Sequence, residues 1–182
     1  PVLEPIDVVV EAESEDVTTS TGGAYRGQGW NLWSSGQLTA TVTVPLDGEY
    51  VFKARVWGQQ AGPDWVAMVF VVNGTIVNTV EVEADVDNPQ TYAATVSLPE
   101  GDHLIAVEFL NDYYKPETGE DRNLIIDWIG LSGPNGLPGP EAWPYTKLMT
   151  CDVVSEGTDV CGREILGSLA RRAWRRPVTD DE

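Results

Sequence analysis

Short segments of alternating apolar and polar residues, separated by turns, most limit the folds open to this chain. Gln37 to Val44 alternates cleanly, the turn Pro45-Leu46-Asp47-Gly48 follows, and Tyr50 to Trp57 continues as a neighbouring strand. A side-chain period of two is typical of strands with one buried face. Asn73-Gly74 between two further apolar segments is a strong signal for a tight hairpin turn.

The same reading extends over most of the chain and gives about eight strands of 6 to 9 residues, with no helical pattern among them. The predicted strands are 6–13, 37–44, 50–57, 66–72, 75–83, 91–98, 103–110 and 124–131. Asp16 to Gln28 is rich in Thr, Ser and Gly and is predicted to be a long loop. Residues 1–133 are therefore expected to form an all-β domain, an antiparallel two-sheet β-sandwich of the jelly-roll type.

Beyond residue 133 the composition changes. Residues 134–158 are rich in Pro and Gly and predict a linker. Apolar residues at helical spacing within 159–176, with arginines in the last turns, predict a short α-helix. The terminal Thr179-Asp180-Asp181-Glu182 is typical of a capping box for another helix. We therefore interpret 159–182 as the start of a helical region and the sandwich as one part of a larger polypeptide.

Charge excludes several classes of partner. The formal net charge of −18 argues against nucleic acid and acidic membranes, since both are bound through Lys and Arg clusters. No apolar run approaches 18 residues, so no membrane-spanning segment is expected. Most of the acidic residues are expected to keep the surface solvated and the chain soluble, and we expect a monomer.

The two cysteines, Cys151 and Cys161, with only one histidine in the chain, do not make an ordinary zinc site. A disulfide closing a short loop is the favoured interpretation, and two free buried thiols are the alternative. A disulfide would indicate an oxidising compartment: extracellular, periplasmic or at the cell surface.

Catalytic signatures are scarce in the sequence. The only histidine, His103, follows a turn at a strand start, where an exposed structural role is expected. Nucleophile-elbow and phosphate-loop motifs are absent from the sequence. A glycoside hydrolase needs only two carboxylates, so counting acids does not exclude it. We nevertheless expect a chain that is not an enzyme.

Oxygen-bearing side chains are crowded between the last two predicted strands. The stretch contains Asn111, Asp112, Glu117, Glu120, Asp121 and Asn123, together with Tyr113 and Tyr114. Carboxylates this close repel one another unless a hard cation such as Ca²⁺, which takes 6 to 8 oxygens, lies between them. Near the start of the chain, Glu11 and Glu13 share one face of the first strand. The crowded stretch favours calcium, and the pairing of two glutamates on one strand face is unusual.

Three motifs carry a family resemblance: Phe109-Leu110-Asn111-Asp112, Asp121-Arg122-Asn123-Leu124 and Asp127-Trp128-Ile129. With Glu11-Ala12-Glu13 near the start, residues 6–132 resemble the calcium-dependent β-sandwich carbohydrate-binding modules of families 60 and 36, which bind xylan. The wider relatives are families 6 and 35. Residues 163–182 resemble the start of a helical domain of unknown function in large exported planctomycete and myxobacterial proteins.

The resemblance implies two calcium ions with different roles. A structural ion would be held by Glu11, Glu13 and Asp127, with backbone carbonyls from the loop near residues 25–28. A functional ion would be held by Asp112, Asp121 and Asn123, and two vicinal sugar hydroxyls would fill its open positions. The further residues are Asn111 and Glu120 as helpers at the metal, and Tyr113, Tyr114, Trp65, Gln59 and Gln60 as contacts to the sugar.

These implications predict a non-catalytic module that binds a β-linked polysaccharide, xylan or a related glycan, through a loop-held calcium ion. The alternative is a structural or protein-interaction domain in which calcium only stabilises the fold. Arg122 is expected to order the loop by pairing with a carboxylate. Four tryptophans on or beside strands are expected in the core. They are Trp30, Trp33, Trp57 and Trp128.

Overall fold

The computed structural model describes residues 6–134, 160–163 and 165–167. The chain divides into two compact units, residues 1–135 and 136–182. The first unit is built from β-strands. The strands are β1 (Ile6–Glu11), β2 (Val17–Thr19), β3 (Gly23–Ala24), β4 (Trp30–Leu32), β5 (Gly36–Val44), β6 (Gly48–Gln59), β7 (Val66–Val72), β8 (Thr75–Val82), β9 (Gln90–Leu98), β10 (Gly101–Phe109), β11 (Tyr113–Lys115) and β12 (Glu120–Gly133).

The strands form two antiparallel sheets. The five-stranded sheet has the order β2-β5-β10-β7-β8. The larger sheet has the path β3-β4-β12-β6-β9, and β1 and β11 also pair with β12. β12 is its central strand: β6 pairs along one edge, while β11, β4 and β1 pair in turn along the other. The predicted antiparallel β-sandwich is confirmed.

Alternation of side chains explains why these segments form strands and where the core lies. In β5 and β6 the residues that alternate inward are buried, and those between them are polar or partly exposed. The inward side chains of the two sheets interlock; for example, the Phe52 and Phe70 rings meet edge to face with centroids 4.8 Å apart. β7 is apolar on both faces and lies inside its sheet, as a continuously apolar strand should.

Two predicted loops contain paired strands. β2 and β3 lie within 16–28, and β11 with the start of β12 lies within the acidic stretch, so β12 begins at Glu120 and not at Leu124. β2, β3 and β11 have only two or three residues each. Segments this short show no alternation in a sequence, because their pairing depends on a neighbouring strand.

The Asn73-Gly74 hairpin is confirmed, with φ of 50° and 77° at its two turn residues. Asn73 also uses both ends of its side chain: Nδ2 lies 2.8 Å from His103 Nδ1, and Oδ1 accepts from the Leu104 N–H at 3.0 Å. His103 Nε2 lies 2.8 Å from the Pro99 carbonyl oxygen. The expected exposed role of His103 is wrong, since the side chain is 5% exposed and holds the hairpin to the 99–101 turn.

In the second unit, residues 160–163 and 165–167 are helical, in agreement with the predicted short helix. Cys161 is buried and disulfide-bonded, as the favoured interpretation requires, while Cys151 lies outside the described residues. The predicted linker, 134–158, also lies outside them except for Pro134. Within the described part of the chain, no helix has the length and apolar character needed to cross a bilayer.

Candidate functional site

Three connections cross between the sheets side by side at one end of the sandwich. Residues 33–35 join β4 to β5, residues 60–65 join β6 to β7, and residues 110–112 join β10 to β11. Ser35 Oγ donates to the Leu110 carbonyl at 2.9 Å and accepts from the Asp112 N–H at 3.3 Å. On the opposite side, Asn111 Nδ2 donates to the Trp65 carbonyl at 2.8 Å. The 110–112 connection therefore lies between the other two.

The ladder between β11 and β12 brings the predicted metal ligands towards one another. Tyr113 pairs with Arg122 and Tyr114 pairs with Asp121. Asp112 directly precedes Tyr113, the first residue of β11. Because side chains two apart in a strand share a face, Asp121 and Asn123 lie on the same face of β12. Asp112 therefore lies at the start of the strand that pairs with the Asp121 end of β12.

Asn123 is the key buried group of this cluster. The residue is 2% exposed, and its Nδ2 donates to Asp121 Oδ2 at 3.0 Å and to Gln59 Oε1 at 3.2 Å. Its Oδ1 is buried with no hydrogen-bond partner among the described residues. An unpartnered buried acceptor costs roughly 1–3 kcal/mol, so such an atom points to a missing partner such as an ion or a water molecule.

The two carboxylates beside it have oxygens to spare. Within the described residues, the Asp112 carboxylate makes no hydrogen bond or ion pair, and Asp121 uses only Oδ2. The cluster thus offers carboxylate and amide oxygens, the donor type that Ca²⁺ prefers. The side chains present fit a calcium ion at this position.

The predicted helper residues have structural partners. Asn111 Oδ1 accepts from the Ala67 N–H at 2.7 Å, so its amide is used at both ends by backbone. Glu120 accepts from the Thr118 hydroxyl at 2.8 Å and lies 3.9 Å from Lys115 Nζ. Gln60, predicted as a sugar contact, is also used by backbone: its Nε2 donates to the Val82 carbonyl at 2.8 Å and its Oε1 accepts from the Val66 N–H at 3.1 Å. These contacts shape the loops around the cluster.

Arg122 orders the loops, but not by the expected pairing with a carboxylate. It is 3% exposed and donates only to backbone carbonyls: Nε and Nη2 to Ala61 at 2.9 and 2.6 Å, and Nη1 to Asn111 at 3.0 Å. Its guanidinium also lies 5.4 Å from the centroid of the Tyr113 ring. One side chain thereby ties the 60–65 connection to the 110–112 connection.

The exposure of the aromatic side chains differs from the prediction at several positions. Tyr114 and Trp65 are 65% and 46% exposed, whereas the Tyr113 ring is half-buried against Arg122. Trp57 is buried and Trp30 and Trp128 are partly buried, but the expected core position of Trp33 is wrong, since that side chain is 53% exposed. The signal available for Trp33 was the Ser34-Ser35-Gly36 turn directly after it.

The residues predicted for a structural calcium ion lie in neighbouring segments: Glu11 pairs with Trp128, and the Ala12 N–H donates to the Asp127 carbonyl at 2.9 Å. Glu11 lines a cavity of about 500 Å³ with Ser14 and Asp16, while Glu13 and Asp127 line another of about 400 Å³ with Gly27 and Gln28. No group of three or more acidic, His or Cys side chains that could hold a metal occurs among the described residues. This site stays a prediction.

Asp127 already has a cationic partner. It lies at a β-bulge, where the register with β6 shifts between Ile126 and Trp128, and its Oδ2 is 2.7 Å from Arg55 Nη1. A guanidinium in this place competes with a metal ion for the same carboxylate. The ion pair is the feature that argues against a structural calcium ion here.

A substitution at Arg55 tests whether Asp127 binds a calcium ion or is occupied by its ion pair with this arginine. In an Asp121→Ala chain, where the loop cluster is disabled, we expect CaCl2 to leave the melting temperature unchanged while Arg55 is present. Adding Arg55→Gln should make the melting temperature respond to calcium by about 3 °C, because the freed carboxylate gains affinity for a cation. Differential scanning calorimetry measures both chains. Calcium stabilisation with Arg55 intact would instead establish the structural ion.

Solved structures with a similar fold include carbohydrate-binding modules. The CBM36-1 domain of a multidomain xylanase from the hindgut metagenome of Trinervitermes trinervoides is 17% identical, with a TM-score of 0.55 over 72% of this chain and 100% of that domain. A family 35 module from an environmental isolate is 15% identical, with a TM-score of 0.50 over 72% of this chain and 99% of its own. At these identities the likeness concerns the fold. A search of curated proteins gives no match.

The sequence, and not the fold alone, shows which family of carbohydrate-binding modules the chain belongs to. Residues 51–144 match the family CBM60, described as a Ca-dependent carbohydrate-binding module that binds xylan. The chain belongs to this family. Its sandwich is a non-catalytic carbohydrate-binding domain.

Proposed function

We propose that the sandwich binds a β-linked polysaccharide of the xylan type at the 110–112 connection, through a calcium ion held by Asp112, Asp121 and Asn123. The observation that carries this proposal is the buried, unpartnered Oδ1 of Asn123 beside carboxylate oxygens that have no partner among the described residues. The CBM60 match, whose description names calcium and xylan, supports the same conclusion.

Asn123 can change its role by a half rotation of its amide. Its NH2 group now lies between Asp121 Oδ2 and Gln59 Oε1 and donates a hydrogen bond to each of them. Because Oδ1 has no partner where it now lies, a half rotation that exchanges it with the NH2 group would make three oxygens converge, a set that suits a hard cation. Gln59, predicted as a sugar contact, would then belong to the metal's surroundings.

The position of the cluster suits an extended ligand. Asp112 is exposed on a connection at the end of the sandwich, and Tyr114 stands on the same face as Asp121. Bound calcium would supply open coordination positions for two vicinal sugar hydroxyls. A site open on both sides accepts the interior of a polysaccharide as well as its ends. We place the site outside the cell, in a larger polypeptide that acts on or adheres to polysaccharide.

Chelation tests the proposal directly. We expect xylohexaose to bind with a dissociation constant on the order of 10 to 100 μM, about 6 kcal/mol, when calcium is present. EDTA should abolish the binding, and excess CaCl2 should restore it, whereas MgCl2 should not, because magnesium retains its own water shell. Isothermal titration calorimetry gives the measurement. Binding that survives EDTA would overturn the metal-bridged mechanism.

A further inference from the structure

Trp33 is an exposed aromatic side chain in the 33–35 connection, which is bonded to the connection that carries Asp112. Trp33 directly follows Leu32, the last residue of β4, which pairs with Leu124 of β12. Asp112 directly precedes Tyr113, the first residue of β11, which pairs with Arg122 of the same strand. Ser35, two residues after Trp33, bonds to both Leu110 and Asp112. The 33–35 and 110–112 connections are therefore held together through Ser35.

The indole is held in place although 53% of the side chain is exposed. A Cβ added at Gly23 would lie 2.8 Å from Trp33 Cζ3 and 2.9 Å from Cη2, so the ring packs against the bare Cα of this glycine. The neighbouring segments are bonded together, with Thr21 Oγ1 2.7 Å from Ser34 Oγ and the Thr21 carbonyl accepting from Trp30 Nε1 at 2.9 Å. A ring fixed before binding loses little conformational entropy when a ligand contacts it.

A second exposed indole lies on the other side of the cluster. Trp65 closes the 60–65 connection and is tied to the central connection through Asn111. Asp112 is thus flanked by one connection ending in Trp65 and another beginning at Trp33. Large aromatic side chains provide most of the contact area in such sites, because they bury apolar surface while their edges stay compatible with water.

We propose that Trp33 is a specificity-determining contact that packs against a sugar ring next to the one at the metal. The proposal rests on the function proposed above and adds a ligand length to it: the site binds a chain of several sugars, and the aromatic contact is made only when the chain reaches beyond the metal-bound unit.

The test compares two ligand lengths in the calcium-loaded protein. Trp33→Ala should weaken binding of xylohexaose at least tenfold but that of xylobiose less than twofold. Trp33→Tyr should keep xylohexaose affinity within about threefold, since an aromatic face remains. Val86→Ala, a matched change at another exposed apolar residue, should leave both affinities unchanged. Melting temperatures of all variants check that the fold is retained.

The outcomes separate the two proposals. Xylohexaose affinity unchanged in Trp33→Ala, while EDTA still abolishes binding, overturns the role of Trp33 alone. An equal loss for both ligand lengths assigns Trp33 to the metal-bound unit and overturns the length dependence. A wild-type chain that binds neither ligand overturns the proposed function and the role of Trp33 together.

Discussion

Asp121→Ala should abolish glycan binding while leaving the sandwich folded. The change removes a carboxylate on the same face as Asn123, and a hard cation held by few protein oxygens depends strongly on each charged one. We expect affinity for xylohexaose to fall at least about 100-fold, or about 3 kcal/mol. The free energy of unfolding should change by less than about 1 kcal/mol, because Asp121 is half-buried and makes one side-chain hydrogen bond.

Glu117→Ala provides the matched control. Glu117 is an exposed carboxylate in the turn between β11 and β12 and makes no hydrogen bond or ion pair within the described residues. Its removal changes the net charge by the same amount as Asp121→Ala and should leave xylohexaose affinity within twofold. Equal loss in both variants would mean that general acidity, and not a metal site, controls binding.

The second large effect is expected at Arg122. Replacing this arginine by methionine keeps much of its length but leaves the carbonyls of Ala61 and Asn111 without their donors. We expect the free energy of unfolding to fall by about 3 kcal/mol, since several charge-assisted hydrogen bonds inside the protein are lost. Urea denaturation followed by circular dichroism measures the change.

Arg26→Met is the control for that experiment. Arg26 lies 5.3 Å from the Tyr25 ring centroid, almost the distance of Arg122 from Tyr113, but it is exposed. Its replacement should cost less than about 0.5 kcal/mol. A similar small cost for Arg122→Met would show that the loop contacts contribute little to stability, and that the 60–65 and 110–112 connections are held by other bonds.

The long strands could be predicted because their own residues carry the signal. β5, β6 and β9 alternate, β7 is continuously apolar between turns, and Asn73-Gly74 requires positive φ. The spacing of Asp121 and Asn123 likewise implies a shared face once they are assigned to a strand.

The parts that escaped prediction depend on contacts between distant segments. The sequence predicts that Arg122 pairs with a carboxylate. Its buried side chain instead donates to the carbonyl of Ala61, 61 residues earlier. Trp33 is exposed because β4 ends at Leu32, and its ring position depends on the missing side chain of Gly23. The bulge that turns Asp127 towards Arg55 is set by pairing with β6. Of these relations, only the exposure of Trp33 has a local pattern, the Ser34-Ser35-Gly36 segment that follows it.

The pairing of the first and last strands has a consequence for how the sandwich sits in a longer chain. Ile6 pairs with Gly133, so β1 starts where β12 stops, at the end opposite the connections that carry Asp112 and Trp33. These two strand ends therefore lie at the end of the sandwich away from the candidate site. A domain joined at Ile6 would begin at that far end and not at the connection that carries Asp112.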